Sequence, residues 1–195
     1  MQLILASASP RRAELLHSAG FAFTAAPANV DETPRNGESA VAYTRRVAHE
    51  KGAHIARTHG GGSVILGADT EVVIGGQILG KPADPNDARR MLRLLAGTVH
   101  DVLTAVVAIH SRRTAEAVVH TRVWFTPMTE REIDWYVASG EPMGKAGAYA
   151  IQGLGARFVE RIDGSWSNVV GLPLATVHRL LREVQWSADP DPTGP

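Results

Sequence analysis

The chain has 195 residues, 44% of them hydrophobic and 21% charged, with 20 basic residues set against 20 acidic ones. That suits one sizeable domain or two small lobes, and a net charge of zero argues against a dedicated nucleic-acid binder, which carries a basic surplus. The absence of cysteine excludes disulfide frameworks, thiolate zinc sites and cysteine nucleophiles. No run approaches the roughly 18 apolar residues that would cross a bilayer, and the apolar run in MQLILASASPRR is too short, and lacks the basic start, for a secretion signal. A cytoplasmic protein with no membrane partner is expected.

LILA at 3–6 reads as a short buried strand. Ser9-Pro10 offers an N-cap and a first-turn proline, opening a helix through about Ala19 that Gly20 ends. A second strand near 21–26 leads into the polar loop NVDETPRNGES. Ser39 or a neighbour starts a long helical pattern whose apolar positions Val41, Val47 and Ile55 are expected to face a core, and which runs out at THGGGS. VILGAD at 64–69 is a strand, and EVVIGGQIL is a hairpin turning at Gly75-Gly76. Asp84-Pro85 begins a helix with Met91, Leu92, Leu94 and Leu95 as its apolar face and Gly97 as its stop. Two β-type runs, 99–110 and 115–126, are close enough to pair antiparallel around Ser111 to Thr114. Thr129-Glu-Arg-Glu132 forms a capping box for a helix over 130–139. KAGAYAIQGLGARF at 145–158 is rich in small residues and irregular before a strand at 157–162. VVGLPLATVHRLLREV ends in a helix, and the tail SADPDPTGP has nothing to bury and is expected to be disordered. Strands and helices interleave without a clean βα repeat, which predicts a mixed α/β sheet.

Five places could carry chemistry. SASPRR, residues 7–12, joins a strand to a helix whose free N–H groups bind anions. Two arginines in a first turn are electrostatically unfavourable for the helix itself, so a ligand such as an oligophosphate would supply the missing negative charge. In Gly67-Ala-Asp69-Thr70 a carboxylate leaves a buried strand at a glycine, a position suited to a metal ligand or general base. A dehalogenase-type nucleophile would want a second Asp two residues on; Thr70-Glu71 follows, and that reading fails. Asp31-Glu32 gains meaning if the fold brings it near Asp69, because two carboxylates could share a divalent cation. In Gly80-Lys81-Pro82 the backbone is fixed by its neighbours, so Lys81 could meet phosphate as a point charge, although the GxxxxGK[ST] spacing is absent. In 145–153 the small residues permit close backbone approach, and Gln152 offers a donor and an acceptor that match a uracil or thymine edge without excluding cytosine. Taken singly, each of these also reads as a cap, a turn or a packing element. His49, His54 and His59 recur every five residues and so spread around a helix without forming a metal face.

The basic residues carry one more signal. Seventeen are Arg and three are Lys, at 51, 81 and 145.

Taken in order, SASPRRAELL, DE at 31–32, VAHEK at 47–51, GADT at 67–70, GKP at 80–82, KAGAYAIQG at 145–153 and DGSWSNVVGLPL at 163–174 resemble one family, the Maf nucleoside-triphosphate pyrophosphatases. All three lysines fall inside these blocks, and the resemblance spans about residues 2–182. It implies an α/β fold with an elongated, twisted mixed β-sheet flanked by helices, in two lobes around a deep cleft. It implies one such domain over 1–186 with 187–195 as a disordered tail, often assembled as a homodimer. The implied activity is hydrolysis of a nucleoside triphosphate to the monophosphate and pyrophosphate with Mg²⁺ or Mn²⁺. By match of position, Asp69 falls on the proton acceptor and Glu32 on an acid near metal and water, both as candidate metal ligands. Ser7, Arg12, Lys51 and Lys81 fall on phosphate-binding positions, and Arg11, Thr70 and Gln152 on those of the dTTP/UTP branch. Gly144, Ala150 and Trp166 depart from the family pattern of Asp, Gly and Tyr or Phe. Two alternatives stay open: the same chemistry on modified or other nucleotides, and a nucleotide-binding regulator of cell division without turnover.

Overall fold

The computed structural model describes residues 1–59 and 62–187. The Gly-rich break at 58–63 lies partly, and the expected disordered tail 187–195 in all but Ser187, outside the described residues. The chain order is β1 (Leu3–Ala6), α1 (Pro10–Ser18), β2 (Thr24–Ala25), α2 (Ala40–His59), β3 (Val64–Ile74), β4 (Gln77–Leu79), α3 (Pro85–Leu95), β5 (Val99–His110), β6 (Arg113–Phe125), α4 (Glu130–Ala138), β7 (Val159–Asp163), α5 (Trp166–Val170) and α6 (Leu174–Glu183). The strands form one mixed sheet in the order β2-β1-β3-β5-β6-β7, with β4 folded back on β3. β1 runs parallel to β2 and β3, and the other pairings are antiparallel. This is the mixed α/β sheet expected from the sequence.

Both faces of the sheet's β1–β3 region are covered, which is why LILA is apolar throughout instead of alternating. Leu3, Leu5, Leu66 and Ala68 enter the larger core, shared with apolar residues of α1, α3, α4 and α6. Ile4, Ala6 and Ile65 face the other way and meet Ile55 of α2. The period of two along β3 therefore sets Ile65, Gly67, Asp69 and Glu71 on the α2 side, and Leu66, Ala68, Thr70 and Val72 on the opposite one.

α2 lies unusually close to the sheet. A Cβ on Gly67 would sit 2.4 Å from the Ala48 carbonyl oxygen and 2.8 Å from the Gly52 nitrogen. Glycine at 67 is what lets the helix backbone descend to that strand, and the descent carries Lys51 alongside Asp69.

Several expectations need correction. The run 64–69 and the first arm of the hairpin are one continuous strand, β3, because the whole stretch pairs with β5 from Val64 to Val73. Val41 is exposed; the buried stripe of α2 runs through Thr44, Val47, Ala48, Lys51 and Ile55, and Val41 precedes it in the first turn. Leu94 is also exposed, since Ala88, Met91, Leu92 and Leu95 keep the i, i+3, i+4 spacing and Leu94 does not. The second strand shrinks to two residues. Trp166–Val170 forms an unforeseen short helix, capped by Ser165, whose side chain accepts from the Asn168 N–H.

Candidate active site

A cavity of about 350 Å³ opens where the end of β1, the start of α1, the loop after β2, α2 and β3 meet the segments 80–81, 144–152 and 169–171. Ser7, Arg11, Arg12, Glu32, Lys51, Asp69, Thr70, Lys81 and Gln152, nine positions scattered over the sequence, all line it. Asp31 does not. It stays in the exposed loop and accepts the Thr33 N–H.

At the base, the Lys51 Nζ donates to Asp69 Oδ1 at 2.8 Å and is paired with Glu32 Oε1 at 2.9 Å. Asp69 is 5% exposed, and its second oxygen, Oδ2, is buried without a hydrogen-bond partner. Burial of an ionised carboxylate is tolerable only with a cation at hand, and Lys51 is that cation. Tyr43 of α2 fixes the Glu32 loop by donating its hydroxyl to the Glu32 carbonyl at 2.8 Å. Burial raises Glu32's carboxyl, and the hydrogen bond and charge of Lys51 outweigh it, so the group lies below its ordinary value.

Arg12 is 8% exposed, not a surface cation on a helix face. Its Nε donates to the Gly171 carbonyl at 2.8 Å, Nη1 to the Ala68 carbonyl at 2.8 Å and to Ser7 Oγ at 3.2 Å, and Nη2 to Thr70 Oγ1 at 3.0 Å. A guanidinium has five N–H groups, so one on Nη2 is left over for a ligand. Burial lowers its pKa, opposed by the charge of Asp69; an Arg nevertheless stays protonated. Ser7 Oγ accepts from both Arg12 and the Ser9 N–H, which leaves the hydroxyl proton to donate elsewhere. Thr70 is held by Arg12, by Thr104 Oγ1 at 3.0 Å and by the Gly171 carbonyl.

Arg11 and Lys145 add two more cations to the lining. Burial lowers both, and for Lys145 the charge of Arg11 lowers it further. Like charges brought together in a half-buried cleft favour an anionic ligand.

The segment that carries Gln152 is clamped from below. Glu141's carboxylate accepts the Tyr136 hydroxyl at 2.7 Å and the N–H groups of Leu154 and Gly155, both at 2.9 Å, and the Tyr136 oxygen accepts from the Ala150 N–H at 3.0 Å. The glycines here are needed for protein packing: a Cβ on Gly147 would strike Val72, one on Gly153 the Glu141 carboxylate, and one on Gly155 the Tyr136 hydroxyl. Gly144 and Ala150 both line the cleft. Gly144 has φ +71°, a left-handed conformation that a side chain there would strain. Trp166 is 47% exposed at the start of α5, outside the lining.

Glu71 is what the sequence reading passes over. It lies on the same face of β3 as Asp69, is 7% exposed, lines the cleft, and its Oε2 has no partner. Burial, then the charge of Asp69, push its carboxyl up to about 8. The signal was available: strand alternation puts an acid at i+2 on the face of the first.

Among the described residues no three His, Cys, Asp or Glu side chains are placed to hold a metal ion unaided. The unpartnered Asp69 Oδ2 and Glu71 Oε2 still fit a hard cation that takes one or two carboxylates and completes its shell with water and substrate oxygens.

Fold and cleft together define an α/β protein that holds a strand-borne carboxylate, lysine-paired, beneath a cation-lined anion pocket. The profile of the Maf-like proteins matches residues 2–184. A dTTP/UTP pyrophosphatase of Anaeromyxobacter sp. (strain Fw109-5) is 51% identical over 203 residues, covering 100% of this chain and 95% of that protein. The dTTP/UTP pyrophosphatase of Myxococcus xanthus (strain DK1622) is 50% identical over 179 residues, 92% of this chain and 90% of that protein. Among solved structures, a nucleoside-triphosphatase / dITP/XTP pyrophosphatase from Mycobacterium abscessus superposes with a TM-score of 0.44 at 15% identity, over 93% of this chain and 95% of that chain. The chain belongs to the Maf family.

Proposed function

We propose that this protein is a nucleoside triphosphate pyrophosphatase that cleaves the α–β phosphoanhydride of dTTP and UTP, releasing the monophosphate and pyrophosphate, from one domain over 1–186. The observation that carries this reading is Asp69: buried, held by Lys51 through one oxygen, free at the other, and set in a cleft lined by Arg11, Arg12, Lys81 and Lys145. The 50–51% identical relatives named for dTTP and UTP support the choice of nucleotide.

Asp69 accepts the proton of the attacking water, and Lys51 holds the carboxylate in place through Oδ1. Arg12, Ser7 and Lys81 hold phosphate oxygens. Arg12 contributes its remaining N–H, Ser7 its hydroxyl proton, and Lys81 a point charge that offsets negative charge growing on the leaving pyrophosphate. Asp69 and Glu32 would hold a Mg²⁺ or Mn²⁺, which would supply neutralisation of triphosphate charge and polarisation of the α-phosphorus. Gln152, on its clamped segment, reads the base edge, and Arg11 and Thr70 line the same cleft.

A panel of canonical and modified nucleoside triphosphates with Mg²⁺ or Mn²⁺, scored for pyrophosphate and monophosphate, tests this reading. dTTP and UTP are expected to give the highest kcat/KM. Release of orthophosphate, or no turnover on any nucleotide, would contradict it.

A further inference from the structure

We propose that Glu71 is a further ligand of the divalent cation, joining Asp69 through the two oxygens that the protein leaves unpartnered. The inference rests on the pyrophosphatase reading for the presence of a cation, and goes beyond it in the residue assigned.

The placement of Lys51 motivates it. Its ammonium already lies between Glu32 Oε1 and Asp69 Oδ1, at 2.9 and 2.8 Å. A cation bound to those same two oxygens would have to share the position of a positive charge, which electrostatics disfavours. Asp69 is left with Oδ2, which has no partner. Glu71 stands two residues along β3 on the same face, nine-tenths buried, in the cleft lining, with no hydrogen bond to any described residue and Oε2 fully enclosed. A buried carboxylate with no donor is costly, and surface acids have no reason to be packed this way. Lys51 is already engaged by Glu32 and Asp69, so among the described residues no ammonium pairs with Glu71, and a dication at Asp69 and Glu71 supplies the partner it lacks. Two carboxylates plus phosphate and water oxygens is the donor set Mg²⁺ ordinarily uses in phosphoryl sites.

The test is binding, without turnover. Mn²⁺ affinity is measured by electron paramagnetic resonance on the full chain, with the non-hydrolysable α,β-imido analogue of dTTP present, for wild type and Glu71→Gln. Glu71→Gln is expected to weaken Mn²⁺ by about tenfold or more, since loss of groups that merely support a metal site already costs ~10–100-fold. A second variant reads ligation directly. Because the chain has no cysteine, Glu71→Cys introduces a unique thiol, and Cd²⁺, which favours thiolate, should then give an ultraviolet thiolate-to-cadmium charge-transfer band that wild type lacks. A folded Glu71→Gln that binds Mn²⁺ as wild type does, or a folded Glu71→Cys without the band, overturns the inference and leaves the pyrophosphatase reading standing. Glu71-dependent Mn²⁺ binding in a protein that fails the nucleotide panel supports the inference while removing the proposed activity. A wild type that binds no Mn²⁺ overturns the inference together with the metal requirement.

Discussion

Lys51 shows how much one side chain can decide. It is buried, it neutralises Asp69, and it reaches Glu32 with the same ammonium. In a chain with seventeen arginines, lysine persists where a compact charge on a slim stem is needed and a planar fork would not fit. Removing it strands a buried carboxylate, so Lys51→Ala is expected to cost about 3–5 kcal/mol in denaturant unfolding. Adding Asp69→Asn should recover part of that loss, because the stranded charge goes with it. Strictly additive losses in the double-mutant cycle would mean that the two side chains are not energetically coupled. Lys145 has a different setting: its Nζ donates to the Glu141 carbonyl, which fastens the cleft wall to the clamp beneath Gln152.

At the scale of elements, the site depends on how closely α2 approaches β3. Gly67→Ala would put a methyl group against the helix backbone, which cannot yield as a flexible side chain would. A loss of about 2 kcal/mol or more is expected, together with lower turnover as Lys51 is lifted from Asp69. A variant with wild-type urea midpoint and activity would show that the close approach is unimportant. A second element-scale effect is set in β5. His100 is buried, its ring edge-on to Phe125 and Tyr149 at 5.0 and 5.4 Å, with Nε2 2.9 Å from the Tyr149 hydroxyl. Burial lowers its pKa from 6.5 to about 4. As pH falls through that window the unfolded chain takes up a proton that the folded chain refuses, so stability drops. A shift of that size corresponds to about 3 kcal/mol. Urea unfolding at pH 7 and pH 4 should therefore show a larger loss for wild type than for His100→Gln. Equal losses would rule out His100 as the source.

For the whole molecule, the zero net charge hides a strong segregation: Arg11, Arg12, Lys51, Lys81 and Lys145 line one cleft, with Glu32, Asp69 and Glu71 among them. The elements were largely legible in the sequence because their signals are local: the Pro10 helix start, the Thr129–Glu132 capping box, the Gly75-Gly76 turn. The nine candidate residues were legible as family blocks, and the fold gathers all of them into the lining of one cavity. What local reading missed depends on tertiary contact. The continuity of β3 is set by its pairing with β5, the exposure of Val41 by where α2 meets the sheet, and the isolation of Glu71 by the burial of two acids on one strand face. Arg12 likewise could be read as an anion-binding cation, but not as the hub joining α1, β3 and the end of α5. The central claim is that Asp69 drives water attack on a triphosphate bound in that cleft. It is tested most directly by steady-state dTTP hydrolysis with wild type and Asp69→Asn, reading monophosphate and pyrophosphate together. Pyrophosphate release by wild type and a kcat about 10²–10⁴-fold lower in the folded variant is the predicted result; an Asp69→Asn protein that turns over at a near-normal rate would contradict it.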